Sequence, residues 1–402
     1  MGRTARTLTA GLVTTGLLLA ACTQAPDEPP GDGLDATLPT ITAAPVTTWP
    51  SPEWATADDG RDYAELDAAA AQTASLCVTV VRDGRVVHRW TAPGAGATSE
   101  VYSVTKSVTA LLVGVAVGDG ALALDDRVAD HVPDWRRGPS ADVTVAQLLA
   151  NTSGREWTYD LDYGQMVRSA PDKTAFALGL GQQHEPGTHW EYNNSAVQVL
   201  EAVLASATGR DVAELAQDRL FEPLGLRSTS WGRDAAGSPT TYSGLTSSCD
   251  DLARIGLLVA RGGRWQDQQV VREDLVERLT GTSSSDLNAA YGGLWWVNAP
   301  GRVQTIDQAA GFGTDRPPYD GRLAPAVPDD ARWALGYGNQ VLAVVPSSDL
   351  VAVRLGERPA SPDAMGLAQV TALSRPRRSP RRPAARPPGG ARPPCRGRGR
   401  PG

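Results

Sequence analysis

Apolar residues near the start of the folded part of the chain follow the two-residue period of strands. Residues 76–81 and 85–90 are apolar, β-branched runs joined through Asp83 and Gly84, a pair that favours a hairpin turn. The Ala-rich run 63–72 before them predicts a helix. We therefore expect a helix and then a β-hairpin at the start of the domain.

The middle of the chain changes to the helical period, and strands return near the end. Residues 104–117 are apolar nearly all round and stop at Gly118, so they predict a buried helix. Further elements are expected as helices over 145–150, 195–208 and 249–261 and as strands over 293–298, 332–336, 340–345 and 350–355. Strands at both ends predict an α/β part built on one antiparallel sheet, with an all-α region of about 125–288 inserted between its strands.

The two ends of the 402-residue chain differ from this domain, which is expected over 59–374. Residues 1–21 combine early arginines with a short apolar stretch and small residues, which is typical of a secretory signal and too short for a membrane span. Residues 22–58 are rich in Pro, Thr, Ala and Asp and predict a disordered tether. Residues 375–402 carry ten arginines and no acid, and this Arg/Pro-rich tail is also expected to be disordered.

Charge and cysteine content narrow the class of protein. Without the ten tail arginines the formal net charge of −7 becomes −17, so the folded part is acidic and no nucleic-acid partner is expected. The four cysteines include no C-x-x-C pair, and we expect neither a metal site nor a cofactor. Cys77 and Cys249 lie in a part of the chain that export would place where disulfides are permitted. They form a candidate pair, unless the strand and the helix that carry them are too far apart.

The scarcity of lysine singles out one residue. Only Lys106 and Lys173 are lysines among 38 basic residues, so this chain uses arginine wherever a generic positive charge suffices. A buried lysine can lose its proton and act as a base, which an arginine cannot do. Lys106 lies three residues after Ser103, and both project from the same face at the start of the predicted buried helix. They are a candidate base and nucleophile.

The surroundings of this pair resemble a known family. Residues 101–106 (VYSVTK) follow the hairpin and open the buried helix, as does the first motif of the serine β-lactamase and penicillin-binding protein superfamily, class C type. Its second motif, Tyr-x-Asn, is matched by Tyr192 and Asn194 after a Pro-Gly loop. The resemblance implies a β-lactamase/transpeptidase-like fold with Ser103 and Lys106 as catalytic residues. It also implies that Tyr192 shares protons with Lys106, and that Asn194 forms hydrogen bonds with Lys106 and the substrate.

The third motif departs from most of that superfamily. Other members carry Lys-Thr-Gly or His-x-Gly, whose cation can hold the carboxylate of a β-lactam, whereas this chain has Ala334 at the position of the cation. The strand is instead similar to that of the esterase and 6-aminohexanoate-dimer hydrolase branch, with a Gly-x-Gly-x-Gln pattern formed by Gly336, Gly338 and Gln340. The resemblance implies an oxyanion hole made of the backbone amides of Ser103 and Tyr337, and a preference for small esters or amides.

Residues 19–22 (LAAC) look like a bacterial lipobox, which implies a lipid on Cys22; an ordinary signal cleavage site is the alternative. The expected protein is thus an exported, monomeric serine hydrolase, anchored by that lipid to the outer face of the bacterial cell membrane. Two other functions remain open, namely a β-lactamase or D-Ala-type carboxypeptidase, and a catalytically inactive binding lipoprotein of the same fold. A Ser-His-Asp hydrolase is disfavoured because the chain has no G-x-S-x-G segment.

Overall fold

The structure, a computed structural model, describes residues 48–305 and 317–357 together with Gly366 and Thr371. The predicted signal, the lipidation site Cys22, most of the tether and the Arg/Pro-rich tail lie outside these residues. No helix within the described ranges is long and apolar enough to cross a membrane.

The described residues form short and long helices and four sheets. The α-helices are α1 (Ala64–Gln72), α2 (Val104–Gly118), α3 (Val128–His131), α4 (Val145–Leu149), α5 (Lys173–Gly179), α6 (Asn194–Thr208), α7 (Val212–Ala216), α8 (Glu222–Leu224), α9 (Cys249–Ala260) and α10 (Glu273–Val276). Wider, π-helical turns occur over Asp160–Val167, Gln217–Phe221 and Glu277–Gly281, and 3-10 turns over Pro133–Arg137 and Pro346–Ser348. The strands are β1 (Ser75–Arg82), β2 (Arg85–Thr91), β3 (Ser99–Glu100), β4 (Ser230–Trp231), β5 (Leu245–Ser247), β6 (Arg264–Trp265), β7 (Gln268–Gln269), β8 (Trp296–Val297), β9 (Gly301–Val303), β10 (Tyr319–Gly321), β11 (Arg332–Gly336), β12 (Gln340–Val345) and β13 (Leu350–Gly356).

The main sheet joins the first strands of the domain to the last ones. Its six strands are antiparallel to their neighbours and run in the order β2-β1-β13-β12-β11-β8. Every side chain of β12 and β13 is buried, because helices cover this part of the sheet. The turn between β1 and β2 uses Asp83 and Gly84, both with positive φ, as a two-residue hairpin turn requires. The predicted antiparallel sheet with helices around it is confirmed.

Helix α9 corrects one predicted boundary. We expected the inserted helical region to extend to about residue 288, but α9 packs on β1, β12 and β13 of the main sheet. A Cβ on Gly256 would overlap Val351 and Leu342, so glycine allows the helix to approach the strands closely. Nearly the whole of α9 is buried, and such a pattern does not reveal whether the partner is a sheet or a helix.

The position of α9 on the sheet also brings Cys249 close enough to Cys77 for a disulfide. Cys249 begins α9 and Cys77 lies in β1, and their Cα atoms are 6.3 Å apart. The two residues form a disulfide, so this prediction is confirmed. The bond joins residues 172 positions apart and fixes the start of α9 to the sheet.

A second correction concerns residues 48–58, which we predicted to be part of the disordered tether. They pack on the domain instead. Trp54 is 8% exposed and lies against the guanidinium of Arg254, 5.5 Å from the ring centre, and Trp49 lies 4.3 Å from the guanidinium of Arg261. Two indole rings supply enough apolar area and cation–π contact to order a segment whose composition otherwise favours disorder.

The strand predicted over 293–298 is shorter than expected, because only Trp296 and Val297 pair with β11. Leu294 adopts a positive φ of 60°, which interrupts the extended backbone. Its amide donates to Leu149 and its carbonyl accepts from Ser107, so this residue joins α4 to α2 rather than extending the sheet.

Candidate active site

Ser103 lies at the N-terminus of α2, directly after a bent loop. The preceding residue, Tyr102, has a φ of 48°, a conformation that is unfavourable for a residue with a side chain. The amide of Val101 donates to the carbonyl of Leu245 at 3.0 Å and holds this loop beside β5. Ser103 therefore faces the site at the positive end of a 15-residue helix, where a developing alkoxide is favoured.

Lys106 lies one helical turn further along and is 1% exposed. Its Nζ is 2.9 Å from Ser103 Oγ, 2.7 Å from Asn194 Oδ1 and 2.9 Å from the carbonyl oxygen of Tyr242. Burial lowers the pKa of Lys106 from 10.5 to about 7, and the negative charge of Asp162 opposes this shift only in part. Near neutral pH a large fraction of the amine is therefore uncharged.

These three contacts match the bonding capacity of a neutral amine. Such an amine has two N–H donors and one lone pair. Asn194 Oδ1 and the Tyr242 carbonyl can only accept, so they take the two N–H groups. The lone pair is then directed at Ser103 Oγ, where it can accept the hydroxyl proton. After the transfer, the ammonium has three N–H donors for the same three acceptors.

The second motif is held at the N-terminus of α6. Asn193 caps this helix by accepting the amide of Ala196 at 2.7 Å, and Asn194 is the first helical residue. The side chain of Asn194 lies between Lys106 and the buried carboxylate of Asp162, to which its Nδ2 donates at 2.8 Å. The predicted contact between Asn194 and Lys106 is thus present.

Tyr192 is 2% exposed, and its ring centre lies 4.9 Å from Lys106 Nζ. Burial, reinforced by the neighbouring phenols of Tyr291 and Tyr163, raises the pKa of Tyr192, whereas a hydrogen bond with Ser103 lowers it in part. The phenol therefore keeps its proton at neutral pH. It is positioned to pass a proton on, and Lys106 is the group suited to remove one.

The third-motif strand β11 lies against the loop that carries the serine. A Cβ on Gly336 would overlap the backbone oxygen of Val101, so only glycine allows this approach. The next residue, Tyr337, packs edge-on against Tyr102, with 5.6 Å between ring centres. Ala334 is fully buried. The residues needed for the predicted oxyanion hole are neighbours, and the hole itself stays a prediction.

Two buried side chains hold the hairpin loop that follows β11. Gln340 Nε2 donates to the carbonyl of Tyr337 at 3.1 Å. The guanidinium of Arg354, which has no exposed surface, donates to the carbonyls of Gly338 and Asn339 at 2.6 and 3.0 Å. Gly338 and Asn339 both have positive φ and turn the chain. The buried side chain of Gln340 thus helps to hold the conformation of this loop.

A cavity of about 320 Å³ opens beside the second motif. It is lined by Gly154, Arg155, Trp157, Thr158, Tyr159, Gln183, His184, His189 and Glu191. Burial, and next the charge of Asp162, raise the pKa of Glu191 to about 8, so its carboxyl is mostly neutral at pH 7. Glu191 Oε1 and Trp157 Nε1 are buried without a hydrogen-bond partner among the described residues. The lining of the cavity thus includes two residues that each have a buried polar atom without such a partner.

Sequence reasoning missed two parts of this site. Asp162 is fully buried on a π-helical turn that is distant from both motifs in the sequence, and Tyr242 forms its hydrogen bond with Lys106 through its backbone carbonyl. No local pattern identifies them, because a backbone acceptor leaves no trace in the residue type and a lone Asp has no fixed spacing to Tyr-x-Asn.

A serine–lysine pair on a buried helix, set between a helical region and the edge of an antiparallel sheet, defines the class of serine hydrolases with a β-lactamase/transpeptidase-like fold. The family model for β-lactamase matches residues 61–374 of this chain. The chain belongs to the β-lactamase family, whose members are serine hydrolases.

Three individual proteins that this chain resembles share at most 28% of its residues in the matched regions. Penicillin-binding protein 4 of Amycolatopsis lactamdurans is 28% identical over 295 residues, which cover 67% of this chain and 75% of that protein. The structure of a putative 6-aminohexanoate-dimer hydrolase from Bacillus anthracis superposes with a TM-score of 0.62 at 16% identity. The match covers 79% of this chain and 86% of the hydrolase chain. The structure of EstCE1, a hydrolase with promiscuous acyltransferase activity, has a TM-score of 0.59 at 15% identity. This match covers 77% of this chain and 96% of EstCE1. The two structures show the shared fold.

Proposed function

We propose that this protein is a serine hydrolase that cleaves a small ester or amide through an acyl-enzyme on Ser103. The observation that carries the proposal is the buried amine of Lys106, 2.9 Å from Ser103 Oγ with a pKa of about 7. A binding protein without catalysis has no need for a desolvated lysine whose lone pair meets a serine hydroxyl.

Acylation follows from these contacts. Neutral Lys106 accepts the hydroxyl proton as Ser103 Oγ attacks the carbonyl carbon of the substrate. The carbonyl oxygen becomes an oxyanion, which the backbone amides of Ser103 and Tyr337 stabilise in this proposal. When the bond to the leaving group breaks, the Tyr192 hydroxyl donates its proton to that group and regains one from the ammonium of Lys106.

Deacylation uses the same groups in reverse. A water molecule takes the place of the leaving group and gives a proton to Lys106 by way of Tyr192 as it attacks the acyl carbon. The tetrahedral intermediate then expels Ser103 Oγ, which recovers its proton from Lys106. Acid and free serine are the products, and the proton count returns to its starting value.

Small esters or amides are the proposed substrates because of the third motif. Ala334 offers no cation for the carboxylate of a β-lactam, and its side chain is fully buried. The cavity at Trp157 and Glu191 gives room beside the second motif for one end of a substrate that carries a polar group. Trp190, Trp295 and Trp296 belong to the core, so Trp157 alone of these four tryptophans lines the cavity.

A β-lactamase or D-Ala-type carboxypeptidase is the second candidate. It is supported by the similarity to penicillin-binding protein 4 of Amycolatopsis lactamdurans. The candidate requires another group to replace the missing cation at Ala334.

The proposal includes export and lipid anchoring through Cys22. The disulfide between Cys77 and Cys249 supports export, because such bonds persist in oxidising compartments. Labelling of cells with a palmitate analogue, for the full chain and for Cys22→Ser, tests the anchor. Loss of label in the variant is expected, and equal labelling of both would contradict a lipid on Cys22.

The enzymatic proposal is tested with a fluorophosphonate probe and a substrate panel. The wild-type protein should be labelled once, on Ser103, and Ser103→Ala should not be labelled. The panel contains short-chain nitrophenyl esters, linear amides, D-amino-acid peptides and a chromogenic cephalosporin. The highest kcat/KM is expected for a small ester or amide. Absence of labelling would favour an inactive binding lipoprotein, and efficient cephalosporin hydrolysis would favour the second candidate.

A further inference from the structure

Asp162 is a buried carboxylate that neither sequence motif predicts. It has no exposed surface, and it forms no ion pair with any lysine or arginine that the structure describes. Its Oδ2 accepts from the Asn194 amide at 3.2 Å and from Asn194 Nδ2 at 2.8 Å. Its Oδ1 accepts from the amide and the hydroxyl of Ser195 at 2.8 and 2.6 Å. All four donors belong to the start of α6, so one carboxylate holds the second motif.

The chemistry of a carboxylate determines which way the Asn194 amide faces. An ionised carboxylate only accepts hydrogen bonds, so the Nδ2 end of Asn194 must face Asp162. The Oδ1 end then faces Lys106 Nζ at 2.7 Å. If the amide rotated by half a turn, Nδ2 would point at the lysine and compete with the Ser103 hydroxyl for the lone pair. The orientation of Asn194 thus decides whether Lys106 is free to act as the base for Ser103.

We infer that Asp162 is a positioning residue of the catalytic unit, which fixes the Asn194 amide so that the lone pair of Lys106 points at Ser103. The hydrogen bonds of the Asp162 carboxylate go to Asn194 and Ser195, so it orients the amine of Lys106 through Asn194. This inference rests on the proposed function, since it assigns a role within the proposed reaction.

The segment that carries Asp162 is itself anchored. The other lysine of the chain, Lys173, donates from Nζ to the carbonyls of Met166, Val167 and Ala170 at 2.9, 3.0 and 3.2 Å. Met166 and Val167 end the π-helical turn that begins at Asp160, and Ala170 follows it in the chain. Both lysines of the chain are thus engaged in this arrangement, Lys106 at the nucleophile and Lys173 at the end of the supporting turn.

The charge of Asp162 also acts on Lys106. It raises the pKa of Lys106 against the larger effect of burial. The other titratable groups around the amine are the phenols of Tyr192 and Tyr242, with Tyr163 and Glu191 further out, and burial raises the pKa of all four. These groups are mostly neutral near pH 7. Removing the carboxylate charge at 162 should therefore move the pKa of Lys106 down.

Two substitutions separate orientation from charge. Asp162→Asn removes the charge and places N–H donors where four donors already meet. We therefore expect Asn194 to be displaced and kcat to fall by about 100-fold, as it does when a catalytic group is misplaced. KM should change little. The acid limb of its kcat/KM profile should move to lower pH. Asp162→Glu keeps the charge but displaces the oxygens, so we expect a comparable fall in kcat with the acid limb in its original place.

The matched control is Asp160→Asn, on the exposed side of the same turn, which should leave kcat and the pH profile unchanged. Rates are normalised to the fraction of protein labelled by the fluorophosphonate. In a double-mutant cycle, Asp162→Asn combined with Asn194→Ala should lose little beyond Asn194→Ala alone, because the two residues act as one unit.

The outcomes distinguish this inference from the proposed function. A wild-type protein without esterase activity or labelling would refute the proposed function and the inference with it. An active wild type with additive losses in the double variant, or with an unshifted acid limb in Asp162→Asn, refutes the positioning role alone. If neither Asp162 variant folds, the carboxylate is a requirement for folding and the inference is also refuted.

Discussion

Replacing Lys106 by methionine should remove a rise in stability that the wild type shows between neutral and alkaline pH. Methionine fills nearly the same volume and carries no charge. The unfolded chain binds a proton on Lys106 up to a pKa of about 10.5, whereas in the folded protein that pKa is about 7. Between these values the unfolded state binds more protons than the folded state, so the stability of the wild type rises with pH.

The size of the effect follows from the same two pKa values. Within this window the wild type should gain about 1.4 kcal/mol of unfolding free energy per pH unit from this group. From pH 7.5 to pH 9 the gain relative to Lys106→Met should be about 2 kcal/mol. Three hydrogen bonds are also lost in the variant, but their contribution is the same at both pH values and cancels in the comparison.

The assay is urea unfolding at the two pH values, followed by tryptophan fluorescence with the disulfide intact. Ser103→Ala serves as the control, because it removes one contact and keeps the amine, so it should retain the wild-type slope. Equal slopes for the wild type and Lys106→Met would refute the depressed pKa, and with it the view that Lys106 is ready to act as a base near neutral pH.

Three further changes test other parts of the site. Tyr192→Phe should leave the fold intact and lower kcat by about 100- to 10,000-fold, because it removes one hydroxyl from the proton path; unaltered turnover would exclude this path. Gly336→Ala should lower the yield of acyl-enzyme, since its Cβ overlaps the oxygen of Val101, and a stopped-flow burst of wild-type amplitude would contradict the close approach. Removing the disulfide by Cys77→Ser with Cys249→Ser should lower the unfolding free energy by about 2–5 kcal/mol, measured by urea unfolding, and an unchanged midpoint would show that packing alone holds α9 on the sheet.

Local sequence predicted much of the fold and the centre of the site. The spacing of Ser103 and Lys106 follows from a single helical turn, and the capping residues of α6 place Asn194 at its first position. The strand runs at both ends gave the antiparallel sheet, because each has enough apolar, β-branched residues to be recognised alone. Features that depend on one element were thus predictable.

Other features, which depend on contacts between distant elements, were not predicted. The apolar pattern of α9 is compatible with a helical or a sheet partner, and only the fold shows that it lies on the sheet. Trp54 was assigned to a tether because residues 22–58 contain few apolar residues, although its ring is buried and lies against the guanidinium of Arg254. Asp162 reaches Asn194 across 32 positions, a distance at which sequence spacing carries no information.

The pH dependence of Ser103 acylation tests the central claim most directly. Single-turnover acylation by a short-chain nitrophenyl ester is followed from about pH 5 to about pH 9, in the wild type and in Lys106→Ala. The wild-type rate should rise with pH and level off above the pKa of Lys106, about 7, and Lys106→Ala should acylate about as poorly as Ser103→Ala. A wild-type rate that does not change with pH, or undiminished acylation in Lys106→Ala, would contradict the account.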